Sequence, residues 1–273
     1  DHLDAQFGAA LLKDFLELEP RNTAEAVAAG SDLAALEEDV DIVPMAEIGF
    51  DQFYQAEQKG WVLYLEGATD LAILQAFARR LSHPANNVLE QAFTHYVVNQ
   101  PQKAREHFFG LREAKSDLRG VAIYDRLERD LPGGGPLREL TWTRRELENY
   151  LCQPETLLKY AVAAIPADLP GPLFQEAVAA ESQKRQDIMQ NCITDLVPPV
   201  ALRDRTDRWW SEVKASDDFL DRLFDNFFQR LALPNLMRKS NYHLLAEFVP
   251  EDMIQPEISE KLDAILETAQ STS

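Results

Sequence analysis

Residues Trp61 to Leu81 read WVLYLEGATDLAILQAFARRL, and this stretch restricts the fold more than any other in the chain. Five apolar residues, Trp61 to Leu65, run directly into Glu66-Gly67. A short, continuous apolar run closed by a turn signal predicts a strand buried on both faces, as in parallel sheets. Behind it, Leu71, Leu74, Phe77, Ala78 and Leu81 recur at the spacing of one helix face. Thr69 or Asp70 stands in the N-cap position. One carboxylate is therefore expected at the C-terminal tip of a strand and a second in the first turn of the next helix. Open α/β sheets bind ligands at that edge, and packing gives no reason for two acids there.

The alternation continues downstream. The pattern predicts strand 61–65, helix 69–82, a turn at Pro84 and strand 92–98 (AFTHYVV, β-branched and aromatic). A helix then runs from Pro101 to about Asp117. Strand 118–125 ends in an acid, a loop covers 132–136, strand 138–143 follows, and a helix begins at Arg145. Strands alternating with helices imply an α/β fold, a parallel sheet flanked by helices. Residues 1–60 read as an acidic helical lead-in, with Gly49 to Gly60 a glycine-bounded connector carrying aromatic anchors. Residues 61–160 form the α/β domain, and 161–273 a mostly helical C-terminal region with amphipathic stretches at 176–193, 207–231 and 256–268. A start at Asp1 rather than Met suggests a piece of a longer protein.

Net charge is −19, which weighs against nucleic-acid binding. Its distribution is uneven: residues 1–60 carry −11, residues 61–160 are neutral, and residues 161–273 carry −8. The segment with the conspicuous acids is thus the least acidic, and its flanks equally suit a protein-facing surface. No apolar run approaches the ~20 residues that span a bilayer, so no membrane role is expected. The two cysteines, Cys152 and Cys192, are isolated and read as buried thiols in a reducing, cytoplasmic setting.

Acids stand at the ends of three elements: Glu66 with Asp70, then Asp125, then Glu146 and Glu148 in RRELENYL. In a parallel α/β topology the ends of strands 61–65 and 118–125 share one sheet edge. Crowded carboxylates repel unless a cation neutralises them. An oxygen-only donor set favours Mg²⁺ or Mn²⁺. At i, i+2 on a helix, Glu146 and Glu148 point about 200° apart and would not share one ion.

YLEGATDLAIL, followed by a strand ending VAIYD, resembles a TOPRIM domain. The further RRELENYL segment is similar to the C-terminal nuclease half of OLD-family proteins, in which an ABC-type ATPase precedes the TOPRIM domain. The likeness covers roughly residues 50–160 well and the helical tail more weakly. It implies a metal-dependent DNA endonuclease acting in anti-phage defence. ATP would be used only by a domain outside this chain, and a homo-oligomer or a second small protein would be partners. Carried across residue by residue, Glu66 matches the first glutamate, Asp70 the acid of the following turn and Asp125 the first aspartate of the DxD motif. Leu127 stands where the second aspartate belongs, which puts full two-metal activity in doubt. Glu128 or Asp130 would have to substitute. Glu148 is the expected further ligand with Glu146 behind it, and Lys239 resembles a basic position in the family's tail. Arg126, Arg144 and Arg145 adjoin the acids as candidate phosphate-facing cations.

Each of these residues also has a plain structural role available: turn acid, helix cap, strand end or solvated lysine. Asn149 and Tyr150 read as supports for the ENY turn. The five histidines lack metal spacing, and Trp209-Trp210 reads as helix core or a dimer face rather than a base platform. Gly133 to Gly135 lacks the Lys-Ser/Thr ending of a P-loop. The alternative to a nuclease is a TOPRIM module with weakened catalysis that serves assembly or partner binding. A primase or topoisomerase fragment fits less well, because zinc-ribbon cysteines and a placed catalytic tyrosine are missing.

Overall fold

The computed structural model describes residues 48–129, 131–132, 134–165 and 172–271. The expected lead-in helices before residue 48, and Asp130, lie outside them.

The expected connector 49–60 is a helix, α1 (Phe50–Lys59). FDQFYQAEQK holds no proline and no β-branched residue, so nothing in it resists helix. Gln52 accepts a hydrogen bond from the Gly49 N–H at 3.1 Å, and Gly60, at φ 72°, closes the far end with its N–H on the Ala56 carbonyl. Its aromatic residues are not all anchors: Phe50 is 86 % exposed, whereas Phe53 packs inward.

Strand β1 (Trp61–Leu65) follows, buried throughout, then α2 (Ala68–Arg80). The N-cap of α2 is Gly67, not Thr69 or Asp70. Asp70 sits one turn in, and its Oδ2 reaches back to accept the backbone N–H of Glu66 (3.0 Å) and of Gly67 (3.4 Å). A short helix α3 (Ala85–Leu89), unanticipated from sequence, leads to β2, which spans only Thr94–Tyr96. Helix α4 (Pro101–Ala114) and strands β3 (Arg119–Tyr124) and β4 (Leu137–Thr141) complete the sheet. The strand order is β2-β1-β3-β4, all parallel. Leu63 aligns with Thr94 on one side and Val121 on the other. Parallel pairing puts the C-terminal tips of β1 and β3 on one edge, as the sequence required.

The sheet is covered on both faces. Val62, Tyr64, Ala122 and Tyr124 point into a core shared with Ala56 of α1 and with Ala104, Phe108 and Leu111 of α4. Leu63, Leu65, Val121 and Ile123 point the other way, against Ile73, Leu74 and Phe77 of α2. That second core runs on without interruption into the C-terminal helices as far as Ala269.

No α-helix begins at Arg145. Glu146 is extended (φ −135°, ψ 157°), Leu147–Tyr150 makes a single 3-10 turn, and α5 (Pro154–Ala163) starts afresh behind Pro154. Helices α6 (Pro172–Leu196), α7 (Pro199–Arg203) and α8 (Trp209–Glu212) follow. The long helix predicted over 207–231 is broken into α8, a π-helical turn Ala215–Leu220 and α9 (Asp221–Arg230). The break falls at Val213, whose carbonyl accepts a side-chain hydrogen bond from Asn149 Nδ2 at 3.0 Å. A run of 3-10 turns (Lys239–Phe248) and α10 (Pro256–Gln270) finish the described chain. Among the described residues no helix is long and apolar enough to cross a membrane.

Candidate functional site

At the C-terminal edge of the sheet a small cavity of about 90 Å³ is lined by Glu66, Thr69, Asp70, Asp125, Glu146, Glu148, Lys214, Ser216 and Lys239. Every carboxylate expected there lines it except Glu128, which is exposed on the turn after β3. Two basic side chains, Lys214 and Lys239, face five acids.

The backbone explains how each acid arrives. Glu66 is the first residue past β1 and Asp125 the first past β3, adjacent strands in register. Asp70 is held by its bonds to the Glu66 and Gly67 amides, so the α2 N-terminus and the β1 tip form one rigid corner. Asp125 Oδ1 accepts the backbone N–H of Leu147 at 3.3 Å, which ties the β3 tip to the 3-10 turn.

Glu146 and Glu148 share the cavity, contrary to the α-helical geometry expected of them, because the turn between them is 3-10 and Glu146 precedes it in extended conformation. Asn149 fixes that turn. It is fully buried; its Oδ1 accepts the Glu146 N–H at 2.8 Å, and its Nδ2 donates to the carbonyls of Trp210 (3.1 Å) and Val213 (3.0 Å). Tyr150 is buried beside Trp142 and hydrogen-bonds Glu257, so both residues act as supports.

Ser216, 1 % exposed, donates its backbone N–H and its hydroxyl to Glu146 Oε2, each at 3.1 Å. Lys239 Nζ lies 3.4 Å from the Ser216 hydroxyl, and Lys214 pairs with Asp217. Neither Lys214 nor Ser216 was foreseen. The one available signal was a serine and a lysine interrupting a segment that otherwise reads as amphipathic helix.

The three arginines proposed as phosphate-facing cations do not line the cavity. Arg126 makes a two-point ion pair with Glu212 (2.8 and 2.7 Å), Arg145 donates to the Glu212 carbonyl, and Arg144 donates to the Asn149 carbonyl while stacking over Tyr150. They brace the wall from behind. Leu127 packs against the core on the α4 side of the sheet and offers no ligand.

Burial, reinforced by crowding, raises three of the acids. Burial first, then the Glu66 carboxylate, lifts Asp70 to about 6 against the opposing amide bonds. Burial and then Asp70 lift Glu148 to about 7. Asp125 is held well above the usual carboxylate range by burial, by a hydrogen bond with Glu66 and by the charges of Glu66, Asp70 and Glu148. Asp125 therefore favours its neutral, protonated form over the carboxylate.

Among the described residues no group of three or more His, Cys, Asp or Glu side chains is arranged so as to hold a metal ion. The chemistry of the lining nonetheless suits a hard divalent cation: it presents five carboxylates and neither histidine nor cysteine. Burial first, and then neighbouring carboxylate charge, raises the proton affinity of Asp70 and Glu148. Asp125, Glu66, Glu148 and Asp70 are the residues that would hold such an ion.

No protein-family model, no curated protein and no solved structure matches the chain.

Proposed function

We propose that this chain is the divalent-metal-dependent nuclease region of an OLD-like, ATPase-linked endonuclease, a TOPRIM-type module that hydrolyses DNA phosphodiesters with water as nucleophile. One observation carries the reading: acids from the tip of β1, the first turn of α2, the tip of β3 and the 3-10 turn line one cavity together with Lys239. A structural acid at a strand end needs no such company. When bound, Mg²⁺ or Mn²⁺ would supply Lewis acidity to a phosphoryl oxygen and acidify water. In this reading Glu66 and Asp125 would hold the cation from the two adjacent strand tips, and Glu66 would also serve as proton acceptor. Asp70 keeps the β1 tip in place through the Glu66 and Gly67 amides, and Lys239 and Lys214 offset charge developing on phosphate. The ATPase, cytoplasmic location and defence role follow from the family resemblance.

A second reading is favoured by Leu127, which takes the place of an expected ligand and is packed into core. It is a module that binds the cation but serves assembly.

Plasmid nicking by the purified chain in Mn²⁺, in Mg²⁺ and in EDTA, alongside Glu66→Ala, separates the two. Metal-dependent nicking that disappears in Glu66→Ala supports the nuclease. Mn²⁺ binding by calorimetry without nicking, even when the partner ATPase is supplied, supports the assembly module. Equal nicking by wild type and variant removes Glu66 from the site.

A further inference from the structure

The chain leaves β2 through a strained and apolar corner beside the carboxylate cavity. Val98 has φ 46° and Asn99 φ 55°. A β-branched residue at positive φ is an outlier, and such strain costs on the order of 1–3 kcal/mol unless the surroundings impose it. The two residues are the centre of a turn closed by the Gln100 N–H on the Val97 carbonyl at 3.0 Å, and that turn leaves Val98 66 % exposed. Two residues earlier Tyr96 is 42 % exposed, so two apolar side chains are held out in solvent at one corner.

The sheet fixes where that corner lies. Tyr96 pairs in register with Leu65, and the Val98 N–H donates to the Glu66 carbonyl at 3.2 Å. Residues paired across parallel strands point to the same face. Tyr96 therefore shares the face of Leu65, which is the face covered by α2, whose first turn carries Asp70. The Tyr96 phenol is pushed up by partial burial and then by the Asp70 carboxylate, as its position on that face implies.

We propose that Tyr96, with Val98, is a base-stacking contact for an unpaired nucleotide next to the scissile phosphate, so that the site prefers single-stranded over duplex DNA. This inference rests on the nuclease reading above. An aromatic face accepts any base, which gives affinity without sequence preference. In a duplex the bases are stacked on one another and their faces are withheld from Tyr96. The strained backbone at Val98 turns the chain sharply after Tyr96 and keeps the corner apolar, and stability is given up for that presentation.

The test uses the full chain, a labelled 30-nucleotide single strand and its duplex, with binding read by anisotropy in Ca²⁺ and cleavage read in Mn²⁺. Tyr96→Ala is expected to weaken single-strand binding about 10-fold or more, with duplex binding unchanged and Tyr96→Phe close to wild type. Val98→Gly relieves the positive φ and is expected to raise the unfolding midpoint while lowering single-strand affinity. The opposite signs of those two changes would not arise from a loop with a purely structural role. If Tyr96→Ala binds and cleaves the single strand as wild type does, while Glu66→Ala still abolishes cleavage, the stacking contact is wrong and the nuclease stands. If wild type prefers the duplex, the strand preference is overturned. If wild type neither binds nor cleaves either substrate, the nuclease reading fails and takes this inference with it.

Discussion

Ser216 gives both its backbone N–H and its hydroxyl to a single oxygen, Glu146 Oε2, at 3.1 Å each. The pair joins the π-helical turn of the C-terminal region to the residue that opens the ENY turn behind β4. Both residues are buried, so water cannot replace the hydroxyl freely. Ser216→Ala is expected to lower stability by about 1–3 kcal/mol in urea unfolding. Ser216→Thr keeps the donor and separates loss of the bond from loss of space.

Asn149 pairs with one amide and two carbonyls around the Val213 break. Asn149→Ala removes all three bonds, and the expected loss is about 3 kcal/mol or more. Asn149→Asp retains the acceptor for Glu146 yet removes both donors, and it adds a charge among carboxylates. Thermal unfolding should rank Asn149→Asp no better than Asn149→Ala. A milder result for either would mean that Asn149 does not hold the turn.

The acid cluster makes metal-free stability depend on pH in a defined direction. Asp70 is raised from 3.8 to about 6 and Glu148 from 4.5 to about 7, so between those values the folded chain binds protons that the unfolded chain has released. Their contribution is fully present below the unfolded pKa values and is lost as pH rises through 6 to 7. For Asp70 alone the loss is about 3 kcal/mol at full ionisation. In EDTA, urea midpoints measured from about pH 5 to about pH 8 should therefore fall more steeply for wild type than for Asp70→Asn. Excess Mn²⁺ should restore most of the difference at the alkaline end. Identical slopes for the two proteins would contradict the crowding.

Gly120 is the second residue of β3, and its constraint is space. A Cβ there would come within 2.8 Å of both Leu137 Cδ1 and Phe108 Cε2. Both neighbours are buried, and yielding would disturb the core between the sheet and α4. Gly120→Ala should cost about 1–3 kcal/mol in unfolding free energy, with Mn²⁺ affinity unchanged because the residue lies at the opposite end of the strand from Asp125.

The elements legible in the sequence were those determined by local pattern. Trp61–Leu65 and Arg119–Tyr124 announce themselves as apolar runs, and the acids following them mark their tips. Glu66, Asp70, Asp125, Glu146 and Glu148 are legible at the ends of elements, Lys239 only through the resemblance in the tail, and all six line one cavity. The relation between Glu146 and Glu148 was misjudged because it is set from a distance: Asn149 is pinned by Trp210 and Val213, which forces a 3-10 turn where local sequence suggests an α-helix. Lys214 and Ser216 escaped for the same reason, since the break at Val213 exists only once Asn149 claims its carbonyl. Arg126 looked free beside an acid, and its partner Glu212 lies far along the chain. Gly49–Lys59 was misread because flanking glycines were taken to bound a loop, where one of them ends a helix.

The cavity is assembled from both ends of the described chain: Glu66, Asp70 and Asp125 come early, Lys214, Ser216 and Lys239 late. During synthesis the β1 and β3 tips leave the ribosome well before the lysines are made. For that interval the acids lack Lys214 and Lys239, and the sheet face later shared with the C-terminal helices is bare. The acid edge is thus complete in the chain before the two lysines that line the finished cavity exist.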